Sequence, residues 1–401
     1  MRRPRFDVSA MAQAGKPMIV AGLMSGTSAD GVDVALVRIR PQGAGIDLKL
    51  IAHSSFPFSP GLRRSVLGAM DARSTTTAEL ARLNWRLGIA YAEAVRATLA
   101  GHPVRLELIG CHGQTVYHQG RPARYAGRTF ACTWQLGEAA LLAREARVSV
   151  VSNFRPADIA AGGQGAPLVP LLDYVLFRDE KRGRVLQNLG GIGNLTALPP
   201  SATLSQVLAF DTGPANMVID AVTQLLFQQP FDRGGHIASR GRVLEAVLTS
   251  LLRQPFFAAP PPKSAGREQF GREYVTKFLA RCSRVSSKPE DTVATATALT
   301  ARSIGLAYQK FVRPHMKEVA VDYILSGGGS QNRMLVAMLR EILEPLRCRI
   351  LASDDLGMPS QAKEAAAFAL LAWQTWHHRP GNLPAATGAS EPALLGQITY
   401  A

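Results

Sequence analysis

Aromatic residues are scarce in this chain, at 7% of 401 positions, and no run of five or more Lys or Arg occurs. A dedicated nucleic-acid binder draws on stacked rings and clustered cations, so that class is disfavoured. Only four cysteines are present, Cys111, Cys132, Cys282 and Cys348, far apart and with no CxxC pair. This spacing excludes a disulfide framework and a structural zinc site, and fits reduced thiols in a cytoplasmic protein. No HExxH motif occurs, and no apolar run approaches the ~18 residues of a membrane span. The first residues, MRRPRFDVSAMAQAGKP, are basic but carry no apolar core of a secretory signal. Residues 1–17 are therefore expected to be a loose extension. Neither GxxxxGK[ST] nor GxGxxG is found, so neither the P-loop nor the dinucleotide fingerprint applies.

What is present points to a folded enzyme. Hydrophobic residues make up 47% and charged residues 19%, enough for sizeable cores and too little charge for disorder. The length suggests two lobes. A surplus of 45 Lys+Arg over 30 Asp+Glu gives a formal charge of +15. Such a surface favours anionic ligands such as nucleotides, phosphates and acidic sugars.

Strand and helix patterns alternate along the chain, which reads as an α/β class. The segment 18–24 is apolar, 32–40 alternates with period two, and SGTSADG between them is a hairpin turn. Extended residues 47–56 come next, then helical patterns over 60–71 and 76–99, a strand at 106–111 running into CHGQT, and a helix near 138–145. A glycine cluster, AAGGQGAPLVP (160–170), reads as an active-site loop. Residues 185–198 repeat the strand, Gly-rich turn, strand device, which suggests a duplicated architecture. Further on come a strand at 206–210, helices near 215–227, 242–253, 270–281 and 291–312, a strand at 322–325 entering SGGGSQN, and helices at 333–343 and 360–377. The Pro-rich AAPPPKS (258–264) reads as a surface loop.

Three Gly-rich turns come after strands: SGTSADG (25–31), DTGPAN (211–216) and SGGGSQN (326–332). Glycine lets backbone N–H groups approach phosphate, hydroxyls donate to its oxygens, and a carboxylate holds Mg²⁺ directly or through water. Glycines at a strand–helix junction let a flat adenine lie against backbone. In this order the turns spell the layout of the actin–hexokinase–Hsp70 type of ATPase.

The intervening strings GLMSGTSADGVDVAL, CHGQTVYH, NFRPADIAAGGQGAPLVP, NLGGIGNLT, FDTGPANMVID, FDRGG and LSGGGSQNRML extend the likeness. From residue 18 to 401 the chain resembles the anhydro-N-acetylmuramic acid kinase family. The resemblance implies a two-lobed actin/hexokinase-like ATPase fold, mixed sheets flanked by helices, with the active site in the interlobe cleft. It also implies an ATP- and Mg²⁺-dependent enzyme that opens the 1,6-anhydro bridge of its sugar with water and phosphorylates the freed O6. Boundaries are expected at 1–17 for the extension, 18–152 for the first lobe and 153–401 for the second, the last helix returning to the first. The expected partner is a small anhydro amino sugar, not nucleic acid or membrane, and the sequence leaves room for a homodimer.

By motif match, Asp211 is the general base that deprotonates the attacking water; organising Mg²⁺ is its other open role. Glu364 is matched to a substrate contact, against the plainer reading of a solvated helix residue. The expected ATP set is Gly26, Thr27, Ser28, Ala29, Asp30, Gly31, Val32 and Asp33 in the first turn, then Gly213, and Gly327, Gly328 and Gly329. Asp30 is also the candidate Mg²⁺ organiser; Asp33 either joins it or caps the turn. His112 either contacts the sugar or acts indirectly, and Gln164 shapes the pocket. Arg155 suits a lactyl carboxylate, a surface arginine being the alternative. Ala29, Cys111 and Asn153 stand where the family pattern leads us to expect Leu, Ser and Asp; the latter two are expected to border the sugar pocket.

An ordinary sugar kinase of the same fold remains a rival, as does an actin- or Hsp70-like nucleotide switch. A transcriptional or kinase family related by fold often carries a CxCGxxGC zinc cluster, which is absent from this sequence.

Overall fold

The computed structural model describes residues 16–401 except 27, 44, 71, 73 and 318, and only the backbone of residue 267. Thr27 and most of the expected extension lie outside the described residues. The chain divides into two units, the first running to Leu176 and taking back Gln361–Ala401, the second Phe177–Ser360. The units thus divide after Leu176 and not after residue 152, the helix Arg155–Ala160 packing on the first sheet.

In chain order the strands are β1 (Met18–Ser25), β2 (Gly31–Gln42), β3 (Gly45–Pro57), β4 (Leu108–Tyr125), β5 (Arg128–Leu136), β6 (Val150–Ser152), β7 (Gly183–Leu189), β8 (Ile192–Leu198), β9 (Leu208–Pro214), β10 (Val321–Ser326), β11 (Cys348–Ala352) and β12 (Gln397–Thr399). The first sheet has the order β12-β6-β4-β1-β2-β3, with β5 paired to β4; the second has the order β11-β10-β7-β8-β9. In the first, β6, β4 and β1 run parallel while β2 and β3 are antiparallel. In the second, β11, β10 and β7 run parallel while β8 and β9 are antiparallel. The two five-strand frames are therefore identical in order and sense. The repeated hairpins of the sequence do mark a duplication.

Local chemistry accounts for many element ends. Thr76 caps the helix Thr77–Gly101 through a capping box with Glu79. Glu138 caps the helix Ala139–Ala146, which stops at a left-handed Arg147. β4 continues through CHGQT to Tyr125 and returns as β5, a longer hairpin than the 106–111 strand expected. The strand passes Gly113 with that residue at φ +79, where its register against β1 shifts.

Each sheet is covered by a helix that is buried on nearly every face. In the second unit this is Pro289–Ala307, packed on β9 and on neighbouring helices. In the first it is Lys363–Trp376, packed on β1, β2 and β4. Its small residues Ala365, Ala366, Ala369 and Ala372 are fully buried. They approach so closely because β1 and β4 offer glycine at the crossing. A Cβ on Gly22 would run into the Ala365 carbonyl, and one on Gly110 into the Phe368 carbonyl. In the second sheet, buried Asp322 on β10 is opposite Arg184 on β7 and Arg349 on β11, and takes ion pairs from both and from Arg182. Removing one partner of such a buried cluster strands the others, so it fixes strand register.

Gly22→Ala or Gly110→Ala is expected to push the Lys363–Trp376 helix off its sheet and cost about 2 kcal/mol or more. Gly61→Ala, in the helix Pro60–Met70 where a Cβ meets open space, is expected to be neutral or stabilising. Urea unfolding of the three variants checks this; equal stability would refute the close-approach argument.

Candidate active site

In the first unit the turn between β1 and β2 is braced from below. Gln114 is fully buried; its Oε1 lies 2.6 Å from Ser25 Oγ, and its Nε2 donates to the Gly26 carbonyl at 3.1 Å. Ala29 takes φ +53 and is buried, as is Val32, so each has only backbone to offer a ligand. Ser28 and Asp30 are exposed, and Asp30 pairs with Arg63 at 2.8 Å. Asp33 lies on β2 opposite Ser55, and accepts from Ser55 and, at 3.2 Å, from His53. It is a cross-strand residue and not a turn cap.

The four candidate sugar-binding residues all belong to the first unit, three of them beside the helix Lys363–Trp376. His112 is buried against Phe368, ring centroids 4.5 Å apart. Arg155 Nε donates to His112 Nε2 at 2.9 Å, so the proton sits on Nδ1, which donates to the Gly113 carbonyl at 2.7 Å. Both ring nitrogens are thus used, leaving His112 the indirect of its two expected roles. Burial, with Arg155 adding to it, holds its pKa well below the usual histidine range. Arg155 Nη1 donates to the Gly165 carbonyl at 2.7 Å. Burial brings the guanidinium down to about 10, opposed by Glu364 and Asp158. It is not a surface arginine. Glu364 stands in the first turn of the helix and is exposed, as the plainer reading has it, though its carboxyl is crowded by protein; that desolvation raises its pKa, Arg155 and Lys363 oppose this, and Asp33 adds to it.

Gln164 sits in a loop that Asp158 organises. Asp158 is fully buried and accepts from Gly165 N–H, Asn382 Nδ2 and Thr387 Oγ1, each at 2.7 Å, while Gln164 N–H donates to the Thr387 carbonyl. A cavity of about 510 Å³ flanks this loop on the β5 side, lined by Phe130, Cys132 and Pro156 among others. Arg155, Glu364 and His112 do not line it, so we do not assign it to the sugar. Of the departures, Asn153 occupies a left-handed position, φ +56, which Asn and Asp both tolerate. Cys111 does not border the sugar candidates with its thiol: it is packed in the first core, where burial pushes that thiol up to about 12.

In the second unit, Asp211 lies in the middle of β9, opposite Asn194 on β8. Its N–H donates to the Lys263 carbonyl at 3.0 Å and its Oδ2 accepts from Ala265 N–H at 2.7 Å. Desolvation raises the carboxyl to about 7; the Ala265 N–H opposes this, Glu268 adds to it and Lys263 opposes it. Gly213 is buried, and a Cβ there would meet Phe257 and Ser303, so it serves close packing. Asn216 Nδ2 donates to the Leu189 carbonyl, and Gly327 and Gly329 abut Leu189. DTGPAN and SGGGSQN are therefore brought together around the β7–β8 turn. That turn, Gly190–Gly191, is the topological counterpart of the 25–31 turn and was missing from the expected nucleotide set; its repeat of the first hairpin was the signal.

A Cβ on Gly26 or Gly328 would meet nothing nearer than 3.8 Å. Each turn, in its own unit, thus leaves open space beside its glycine, and backbone N–H groups in Gly-rich turns are chemically suited to phosphate. Among the described residues no group of three His, Cys, Asp or Glu gathers. Magnesium needs only one or two carboxylates besides phosphate and water, which Asp30 suits. Lys263 and Asp158 were not among the residues expected from sequence. The Pro-rich stretch lies at the surface as expected, with Ala258, Pro260, Pro262 and Ser264 exposed, but Lys263 within it turns inward, at 6% exposure.

Two units with the same five-strand frame, each opened by a hairpin with a Gly-rich turn, define the actin–hexokinase class of ATPase. Residues 18–401 match the sequence profile of the family described as anhydro-N-acetylmuramic acid kinase. The chain is 46% identical over 386 residues to the anhydro-N-acetylmuramic acid kinase of Bacillus cereus (strain AH187), covering 96% of this chain and 99% of that protein. It is 45% identical, with the same coverage, to that of Bacillus thuringiensis subsp. konkukian (strain 97-27). Among solved structures, the activator of 2-hydroxyisocaproyl-CoA dehydratase from Clostridium difficile aligns over 90% of this chain and 96% of its own, at TM-score 0.41 and 11% identity. The chain belongs to the anhydro-N-acetylmuramic acid kinase family. No helix among the described residues is long and apolar enough to cross a membrane.

Asp158→Ala is expected to orphan three buried donors and destabilise the first unit by about 3 kcal/mol. Amide exchange should quicken in residues 160–166 and 382–388 while the second unit is unchanged. Unaltered exchange in both segments would refute the organising role.

Proposed function

We propose that this kinase uses water and ATP to convert anhydro-N-acetylmuramic acid to N-acetylmuramic acid 6-phosphate and ADP, in the cytoplasm. Asp211 takes a proton from water, whose oxygen attacks C1 on the face opposite the bridge. The C1–O6 bond breaks, C1 is inverted, and O6 becomes the nucleophile toward the γ-phosphorus, from which ADP leaves. The observation that carries this assignment is the half-buried Asp211 carboxyl, held through Oδ2 by the Ala265 N–H, with a pKa brought to about 7. A base with its pKa near the working pH combines a useful ionised fraction with good proton affinity.

Arg155, pre-aimed by His112 and the Gly165 carbonyl, would take the lactyl carboxylate. Glu364 beside it would accept from a sugar hydroxyl or amide, and Gln164 would shape the pocket. The Gly26 turn, with Ser28, would receive phosphate, and the Gly327–Gly329 turn would suit the adenine side. Mg²⁺, when bound with ATP, neutralises phosphate charge, and Asp30 would hold it through water. Phosphoryl transfer then needs mainly alignment, which the braced turns supply.

Asp211→Asn is expected to lower sugar-dependent turnover by about 10²–10⁴-fold or more, with Mg²⁺–ATP affinity within a few-fold. In the unmodified enzyme kcat/KM should fall as pH drops through about 7, because the base is then protonated. Weak Mg²⁺–ATP binding rescued by added Mg²⁺ would instead make Asp211 a metal organiser. Coupled ADP assays, with mass spectrometry of the sugar product, decide.

A further inference from the structure

Lys263 is a buried cation that the mechanism does not use. Lys263 is enclosed by Phe256 and Phe311, both ring centroids 4.8 Å from Nζ, and by Phe210 at 5.6 Å, while Nζ donates to the Phe256 carbonyl at 3.1 Å. Phe210 immediately precedes Asp211. The main chain of the same lysine accepts from Asp211 N–H, and two residues on, Ala265 N–H holds Asp211 Oδ2. The segment 263–265 is therefore a clasp, pinned at one end by an ammonium in an aromatic box and closed at the other on the carboxylate. Methionine would fill such a box without the cost of burying a charge. An ammonium there has a reason if its charge acts on Asp211.

We propose that Lys263 is a positioning residue for water activation: its boxed ammonium locks the 263–265 clasp on Asp211 and keeps that carboxylate ionised. The inference rests on Asp211 being the base. Among the described side chains, the charges facing Asp211 are Lys263 and Glu268, and Lys263 in turn faces Lys310 and Asp211. Burial and Lys310 bring Lys263 down to about 8, with Asp211 opposing, so it is charged at neutral pH. Its charge opposes the burial and Glu268 influences that raise Asp211.

The test uses the full chain with Lys263→Met, which fills the box without charge, and Lys263→Gln, which keeps a donor for the Phe256 carbonyl. Turnover with sugar and ATP is measured from about pH 5 to pH 9. Both variants should move the acid limb to higher pH by roughly half a pH unit or more and lower kcat, with the KM for ATP within a few-fold. A clasp that only packs would lower kcat and leave the limb in place; a limb superimposed on that of the unmodified enzyme overturns the proposal. Infrared difference spectra against Asp211→Asn report the Asp211 carboxyl without turnover. If Asp211→Asn stays active, the base reading fails by itself. The water-activating role then falls with it, and the infrared titration decides separately whether Lys263 governs the Asp211 charge: an unmoved band overturns that control too, and a shifted one upholds that control alone.

Discussion

No side chain fits between the helix Lys363–Trp376 and the strands it crosses. That constraint, met by Gly22 and Gly110 on one side and a row of alanines on the other, sets the depth of the helix in the first unit. Its consequences run outward. Phe368 stacks on His112 because the helix sits that low, and His112 is thereby held to aim Arg155. Lys363, at the first turn, forms a buried pair with Asp173 at 2.7 Å, which anchors the end of the helix that carries Glu364. A helix displaced by the width of one methyl group would disturb these contacts together.

The second unit solves a different problem on the same frame. On the reading proposed for Asp211, it must hold a carboxylate that is desolvated and yet ionised. Desolvation alone would leave Asp211 protonated at neutral pH; a backbone N–H and a nearby ammonium draw it back. Both come from one short segment, residues 263–265, that sequence composition would assign to solvent. Within that segment Lys263 alone is buried, beside the aromatic cluster of Phe256, Phe257 and Phe270.

Duplication explains how one chain holds both arrangements. The frame β1-β2-β3-β4-β6 and the frame β7-β8-β9-β10-β11 share order and sense, so strand ends fall in equivalent places. The two units differ in the loops and side chains mounted on those strands. In the first unit the strands carry His112 and lead into the Arg155 helix and the glycine loop; in the second they carry Asp211 and the turn at Gly327–Gly329. Backbone sterics maintain the frame while short loops supply the chemistry.

Much of this was written in local pattern. Period-two segments, capping residues such as Thr76 and Glu138, and Gly-rich turns are encoded within a few residues, so strands, helices and the duplicated hairpin were readable from the sequence. Asp211, Glu364 and Arg155 were singled out by motif, because their neighbours in sequence carry the signal. Burial was not readable, since it depends on residues distant along the chain. Nothing near Lys263 announces the rings of Phe210 and Phe311 around it, and nothing near Asp158 announces Asn382 and Thr387, 224 and 229 positions away. The pairing of His112 with Arg155 is likewise a long-range event, and it decided that the histidine orients an arginine. Sequence determined which groups are available; desolvation and long-range hydrogen bonding, which exist only once the chain is packed, decided their charge and aim.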